Sequence, residues 1–399
     1  MSETDHKGAD AGISSDSESI ARRRQGRTEA PLGKRLRILL VVSIVLVAGL
    51  SALALLSPSS DAAVLCVILP EEEAPFSHTA EIESAVTMAK EELNEWGGIG
   101  NMKIELMMEE TEVEYDDVSS LFERLEREVR PIAYMSISCE LLSMLAPLTE
   151  EAEVPLIGLA SAPGLTQGYE WTYRYYTSSE HEVNSTLRIL ETLDVSSLGI
   201  LYSVSPHGCG LNDLLVERFV AVGGTVESQA CEAEETDFTD EVEALSDNDA
   251  IFVVAHCGTL VTMFATLDES GYDGYVVASS CASSPTLRSV MALDSLYVSA
   301  PILYKAENIL ASEFTEKFTA NFEIPFSHHA AVSYDIVYLV HDLLEIEGRD
   351  PTRAVLGQRL ADGFVLSGVM GSMRIDPGSH DFPIPVYPAV ILEGELSYL

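Results

Sequence analysis

The chain has 399 residues, length for two or three domains at roughly 100–200 residues each, and 47% of it is hydrophobic, which excludes both a small stapled module and general disorder. Asp and Glu number 64 against 23 Lys and Arg, a formal charge of −41 that repels nucleic acid and anionic lipid, so no nucleic-acid partner is expected. Residues 1–57 hold six acids and eight bases, so the excess sits in the remainder, which carries −43. Without long acidic blocks, it reads as the solvated surface of a folded body, including one that faces concentrated salt.

Residues 1–37 begin with a stretch rich in Ser, Asp, Gly and Arg and have no apolar period, which predicts a disordered tail. From Ile38 to Leu56 the chain runs nineteen residues without a charge, enough helix to span roughly 30 Å of hydrocarbon. Seven bases cluster just before it (Arg22, Arg23, Arg24, Arg27, Lys34, Arg35, Arg37) and acidic sequence follows. The positive-inside rule then puts the tail in the cytoplasm and the C-terminal body outside, in a single-pass membrane protein. A long n-region and the lack of a clean small-x-small site favour an uncleaved anchor over a signal peptide. Leu65 immediately before Cys66 makes a poor lipidation site.

The body alternates strand-like and helix-like segments. Ala63–Leu69 is an apolar run of buried-strand length, followed by a helical face at Ile82, Ala85, Val86, Ala89, Leu93 and Trp96 that Gly97 and Gly98 end. Met102–Met108, Ile132–Ile137 and Pro155–Leu159 are further strands, with helices marked by Val118, Leu121, Phe122, Leu125 and Val129 and by Leu141–Ala152. The rhythm restarts after residue 178. Ser197–Tyr202, Thr225–Ala230, Ala250–Ala255 and Tyr275–Ala278 are predicted strands, separated by helical stretches at Leu211–Val222, Glu241–Leu245 and Leu260–Ser270. This is βαβ patterning with parallel sheets, and it predicts two successive α/β lobes. Helices at Ser312–Phe322, Ala330–Ile346 and Thr352–Leu360, then short strands broken by prolines, complete them.

Several segments resemble a known family. Residues 92–106 (ELNEWGGIGNMKIEL) are similar to the helix end, Gly-Gly turn and second strand of type 1 periplasmic binding proteins for leucine, isoleucine and valine, urea and amides. Val154–Thr166 (VPLIGLASAPGLT), Pro206–Gly210 (PHGCG), Ala331–Glu345 (AVSYDIVYLVHDLLE) and Ile375–Gly378 (IDPG) follow that family's order and spacing. The resemblance covers about residues 62–399. It implies two lobes joined by three hinge crossings: residues 62–178 with 302–381 in the first, and 179–301 with 382–399 in the second. It also implies a substrate-binding protein that closes on its ligand and delivers it to the permease subunits of an ABC transporter.

In open parallel sheets, ligands bind beyond the carboxyl ends of the strands. The loops there hold Ser138, Cys139 and Glu140; Ala160 and Ser161; His207; His256 and Cys257; and Ser280. The resemblance implies that Ser138 and the amides of Cys139 and Glu140 receive a carboxylate, that Ala160 and Ser161 take an ammonium, and that His207 covers the ligand. Family members for amino acids carry an acid where Ser280 stands, and Glu140 edges the carboxylate loop. An aliphatic amino acid therefore competes with an amide, urea-like or amine-bearing ligand. Plainer readings stand beside these: Ser138 as a helix cap, Ser161 as turn chemistry, and His207 and His256 as solvated loop residues.

No enzyme motif is present: G-x-S-x-G, H-E-x-x-H and the P-loop are absent, and Gly208-Cys209-Gly210 lacks a third glycine. Six cysteines without C-x-x-C, and His328-His329 without a third ligand at helical spacing, predict neither a cofactor nor a metal site. Cys257 with Cys281 is the favoured disulfide pair, against six free thiols. The N-terminal segment is too short for a cytoplasmic kinase or cyclase. Transport is thus favoured over a sensor of the same fold acting through signalling partners.

Overall fold

The computed structural model describes residues 62–71, 78–232, 235–304, 308–345 and 351–399. The predicted tail and the 38–56 span lie outside them. Among the described residues no helix is long and apolar enough to cross a membrane.

The first run comprises β1 (Ala62–Pro70), α1 (Thr79–Glu95), β2 (Lys103–Thr111), α2 (Tyr115–Glu128), β3 (Ala133–Ile137), α3 (Cys139–Glu151), β4 (Leu156–Leu159) and β5 (Thr172–Tyr176). The period-two geometry of β1 explains its unbroken apolar run. Leu65, Val67 and Leu69 enter one core with α1, while Cys66 and Ile68 enter another with α2 and α3. The Gly-Gly turn after α1 is sterically required: Gly98 has φ +75°, and a Cβ there would lie 2.0 Å from the Met102 carbonyl oxygen.

The second run comprises α4 (Ser179–Thr192), β6 (Ser197–Ser203), α5 (Pro206–Ala221), β7 (Thr225–Cys231), α6 (Thr239–Leu245), β8 (Ala250–Val254), α7 (Cys257–Ser270), β9 (Tyr275–Ala278), α8 (Pro285–Val290) and β10 (Ser295–Pro301). The remainder is α9 (Ile309–Asn321), α10 (His328–Leu344), α11 (Arg353–Asp362), β11 (Phe364–Gly368), β12 (Gly371–Ile375), β13 (Asp381–Pro383), β14 (Val386–Leu392) and β15 (Glu395–Tyr398).

These elements form two lobes. A six-stranded parallel sheet has the order β13-β5-β4-β3-β1-β2, and a seven-stranded sheet the order β15-β14-β10-β9-β8-β6-β7. The latter is parallel from β7 to β10 and antiparallel through β14 and β15. The chain passes between the sheets after Tyr176, after Pro301 and after Pro383. Because β13 pairs with β5, residues 382 and 383 sit with the first sheet, two residues beyond the expected switch.

The sequence pattern missed β5, α4 and β10. In β5 (TYRYY) a buried Arg174 sits among aromatics, and α4 buries Ser179, Glu182, Ser185 and Thr186 along with Val183, Ile189 and Leu190. Buried polar residues interrupt the apolar stripe on which such predictions depend.

Candidate functional site

A cavity of about 560 Å³ lies between the lobes, at the carboxyl ends of the strands of both sheets. All nine residues selected from the sequence line it: Ser138, Cys139, Glu140, Ala160, Ser161, His207, His256, Cys257 and Ser280.

On the first lobe, Ser138 caps α3, its Oγ accepting from the Leu141 amide at 3.1 Å. It does so at φ +75° and ψ 142°, a conformation an L-residue adopts only at a cost of about 1–3 kcal/mol. Capping and a place in the cavity wall are thus compatible. Burial pushes the Cys139 thiol up to about 11, so it stays protonated and is a poor nucleophile at neutral pH. The loop carrying Ala160 and Ser161 is pinned from below. Buried Arg174 donates Nη1 to the carbonyls of Ser161 (3.1 Å) and Ala162 (2.8 Å) and Nε to Asp381 (2.8 Å). The Ser161 carbonyl also accepts from the Ser179 amide (3.0 Å) and hydroxyl (2.8 Å).

On the second lobe, Ser205 caps α5 and places His207 on its first turn, where Nδ1 meets Ser161 Oγ at 2.6 Å across the cleft. Burial, reinforced by nearby His256, lowers the His207 pKa to about 4, so the ring is neutral at physiological pH. His256 is exposed at the start of α7. Ser280 is backed by a buried acid, Glu182, whose carboxylate accepts from the Ser280 amide at 2.5 Å and hydroxyl at 3.2 Å. Burial raises Glu182 to about 7 against the opposing Ser280 hydrogen bonds. The acid that the sequence lacks at position 280 therefore stands one layer behind it, reached from α4.

Other cavity residues escaped the sequence reading: Glu71, His78, Tyr176, Cys281 and His329. His78 Nδ1 bonds Glu81 at 2.5 Å, and its ring stacks on His329 with centroids 4.0 Å apart. Burial would lower the His78 pKa, but hydrogen bonds to Cys281 and Glu81 outweigh it and raise the pKa to about 10. The Tyr176 hydroxyl lies 2.5 Å from His328 Nε2 and 2.8 Å from His329 Nε2. The strand-end rule applied to β5 would have found Tyr176, and extending it by one residue past Ser280 would have found Cys281. His78 and His329 needed the packed lobe.

Cys257 and Cys281, the favoured disulfide pair, bring their Sγ atoms to 2.7 Å with no disulfide bond between them. His78 Nε2 lies 3.7 Å from Cys257 Sγ. The ligand atoms of His78, Cys257 and Cys281 all fall within 4.8 Å of one another, as do those of His78, Glu81 and His329. Sequence spacing hid these donor sets because their members come from separate segments. Among the described residues, the cavity lining holds two carboxylates, Glu71 and Glu140, and no Lys or Arg.

The family model described as periplasmic binding protein matches residues 74–394. The chain belongs to that family. Its two-lobed α/β architecture is the type 1 periplasmic binding fold, a solute-binding fold whose binding domain lies outside the cytoplasm. A leucine binding protein from Thermotoga maritima superposes with a TM-score of 0.74 at 18% identity, covering 84% of this chain and 97% of that one. A branched-chain amino acid transporter substrate binding protein from Streptococcus pneumoniae, in complex with isoleucine, gives 0.72 at 19% identity, with 84% and 98% covered. A solute binding protein of an ABC transporter from Rhodopseudomonas palustris, in complex with 3,4-dihydroxybenzoic acid, gives 0.72 at 19%, with 85% and 96% covered. No curated protein matches the chain by sequence.

Proposed function

We propose that this periplasmic binding protein captures a small polar solute of amino-acid or amide type between its lobes and delivers it to ABC permease subunits. The 38–56 segment tethers it to the outer face of the membrane, and it performs no catalysis. The observation that carries this reading is the composition of the interlobe cavity. The start of α3 offers amides without intrahelical partners, suited to a carboxylate or carbonyl. Val113, Ile137 and Leu159 give an apolar wall for a short aliphatic group. Glu71 and Glu140, with no Lys or Arg in the described lining, favour a ligand that carries an ammonium or amide N–H. Two structural relatives named for leucine or crystallised with isoleucine support the amino-acid class.

Thermal unfolding of the full chain in mild detergent, screened against leucine, isoleucine, valine, urea and small amides, tests the proposal. A true ligand at 100 times its dissociation constant adds about 2.7 kcal/mol of stability. If none of these shifts the midpoint at millimolar concentration, the solute class is wrong. If Ser138→Ala and Ser161→Ala leave the best hit's affinity unchanged, the site placement is wrong.

A further inference from the structure

We propose that His78, Cys257 and Cys281 form a binding site for a thiophilic metal ion, zinc(II) or copper(I), that bridges the two lobes inside the cleft. Two thiols and one imidazole are the donor set such ions select. The three ligand atoms converge within 4.8 Å although they come from the start of α1, the start of α7 and the turn after β9.

The geometry supports the assignment beyond proximity. Metal-bound histidines nearly always donate their second ring nitrogen to a carboxylate or carbonyl. His78 does this: Nδ1 faces Glu81, and Nε2 is directed at the thiols. Glu81 is itself held by the Ser327 hydroxyl at 2.7 Å and by the Ser327 amide, so the carboxylate that orients the imidazole is anchored to α10. Tetrahedral zinc, with Zn–S about 2.3 Å and Zn–N about 2.0–2.1 Å, needs nitrogen–sulfur separations of about 3.6 Å and sulfur–sulfur separations of about 3.8 Å. The Nε2–Sγ distance to Cys257 is already 3.7 Å. The two sulfurs, at 2.7 Å, must spread by about 1 Å, within the reach of side-chain rotation. Three protein ligands leave a fourth position toward the cavity, as at open zinc sites, which a solute amine or carboxylate can take.

This inference goes beyond the solute reading, and its test needs no organic ligand. The full chain, purified in detergent under reducing conditions and stripped with chelator, is titrated with zinc(II) in one arm and with buffered copper(I) in another. Cobalt(II) serves as a spectroscopic probe of zinc-type coordination. The expected result is one metal per chain in at least one arm, with sulfur-to-cobalt charge-transfer absorption if zinc is the occupant. The double variant Cys257→Ser, Cys281→Ser should abolish binding, and Glu81→Gln should weaken it by 10–100-fold while the protein stays folded by circular dichroism. Unchanged metal affinity in the double-serine variant overturns the proposal. So does the absence of binding in both arms with the thiols titrating as free, or recovery from the cell envelope of a Cys257–Cys281 disulfide in place of metal. Solute binding by metal-free protein is read separately, so either conclusion can fail without the other.

Discussion

The Oγ of Ser161, on the loop after β4, lies 2.6 Å from Nδ1 of His207, on the first turn of α5, and the two residues belong to opposite lobes. This bond spans the cleft directly, and it joins a hydroxyl to a neutral ring. A neutral hydrogen bond contributes about 1 kcal/mol net. His207→Ala is therefore expected to weaken solute affinity about five-fold by favouring the open lobes. A double-mutant cycle with Ser161→Ala should give a coupling of at least about 0.5 kcal/mol by calorimetry; strict additivity would show that the contact does no closing. The depressed His207 pKa, about 4, also implies that its contribution to stability is complete above the unfolded imidazole value of 6.5 and declines as pH falls toward 4.

Ser138 separates capping from strain. Ser138→Ala loses the cap to Leu141 while keeping the positive φ, so it should destabilise by about 1 kcal/mol. Ser138→Gly also loses the hydroxyl but relieves about 1–3 kcal/mol of backbone strain. The glycine variant should therefore melt above the alanine variant, while both lose solute affinity. The reverse order of melting would mean that the φ of +75° carries no strain.

Gly210 sets how near the lobes can come. A Cβ at this position of α5 would lie 2.6 Å from Cδ of Pro163, on the first lobe. Overpacking of this kind costs about 1–3 kcal/mol, and here the cost falls on the closed form. Gly210→Ala should bind solute more weakly and show less compaction on ligand addition in small-angle scattering. A variant that compacts like the parent would place the limit to closure elsewhere.

Asp335 governs a pH effect remote from the cleft. It is buried in α10, accepting from the Val369 amide (2.7 Å), the Met370 amide (3.0 Å) and the Tyr175 hydroxyl (2.8 Å). Burial raises its pKa to about 6 from 3.8, despite those three bonds. An acid whose folded pKa is raised is penalised only where the unfolded chain is ionised. The penalty is absent below about pH 4, grows to about 3 kcal/mol by pH 6 and is constant above. Asp335→Asn should flatten that segment of the stability–pH curve, and Asp335→Ala should cost about 3 kcal/mol or more by orphaning three donors. A parent curve that rises from pH 4 to 6 in step with the asparagine variant would contradict this assignment.

Much of the molecule is written locally. The apolar runs of β1, β3 and β8, the i, i+3, i+4, i+7 stripe of α2 and the two glycines after α1 predict two α/β lobes because both faces of each sheet must be covered by helices. The strand-end rule then places Ser138, Ser161, His207, Cys257 and Ser280 on one cavity, since parallel strands deliver all their loops to one edge. The tertiary structure decided what the period cannot carry. Arg174 and Glu182 are buried because partners far along the chain satisfy them, Asp381 for one and Ser280 for the other. His78 meets Cys257 from 179 residues away. Periodicity records only whether a side chain faces water or core, whereas convergence of donors depends on sheet order and on how two lobes close. That is why the pairing of Cys257 with Cys281 was legible in the sequence, whereas the approach of His78 to them was not.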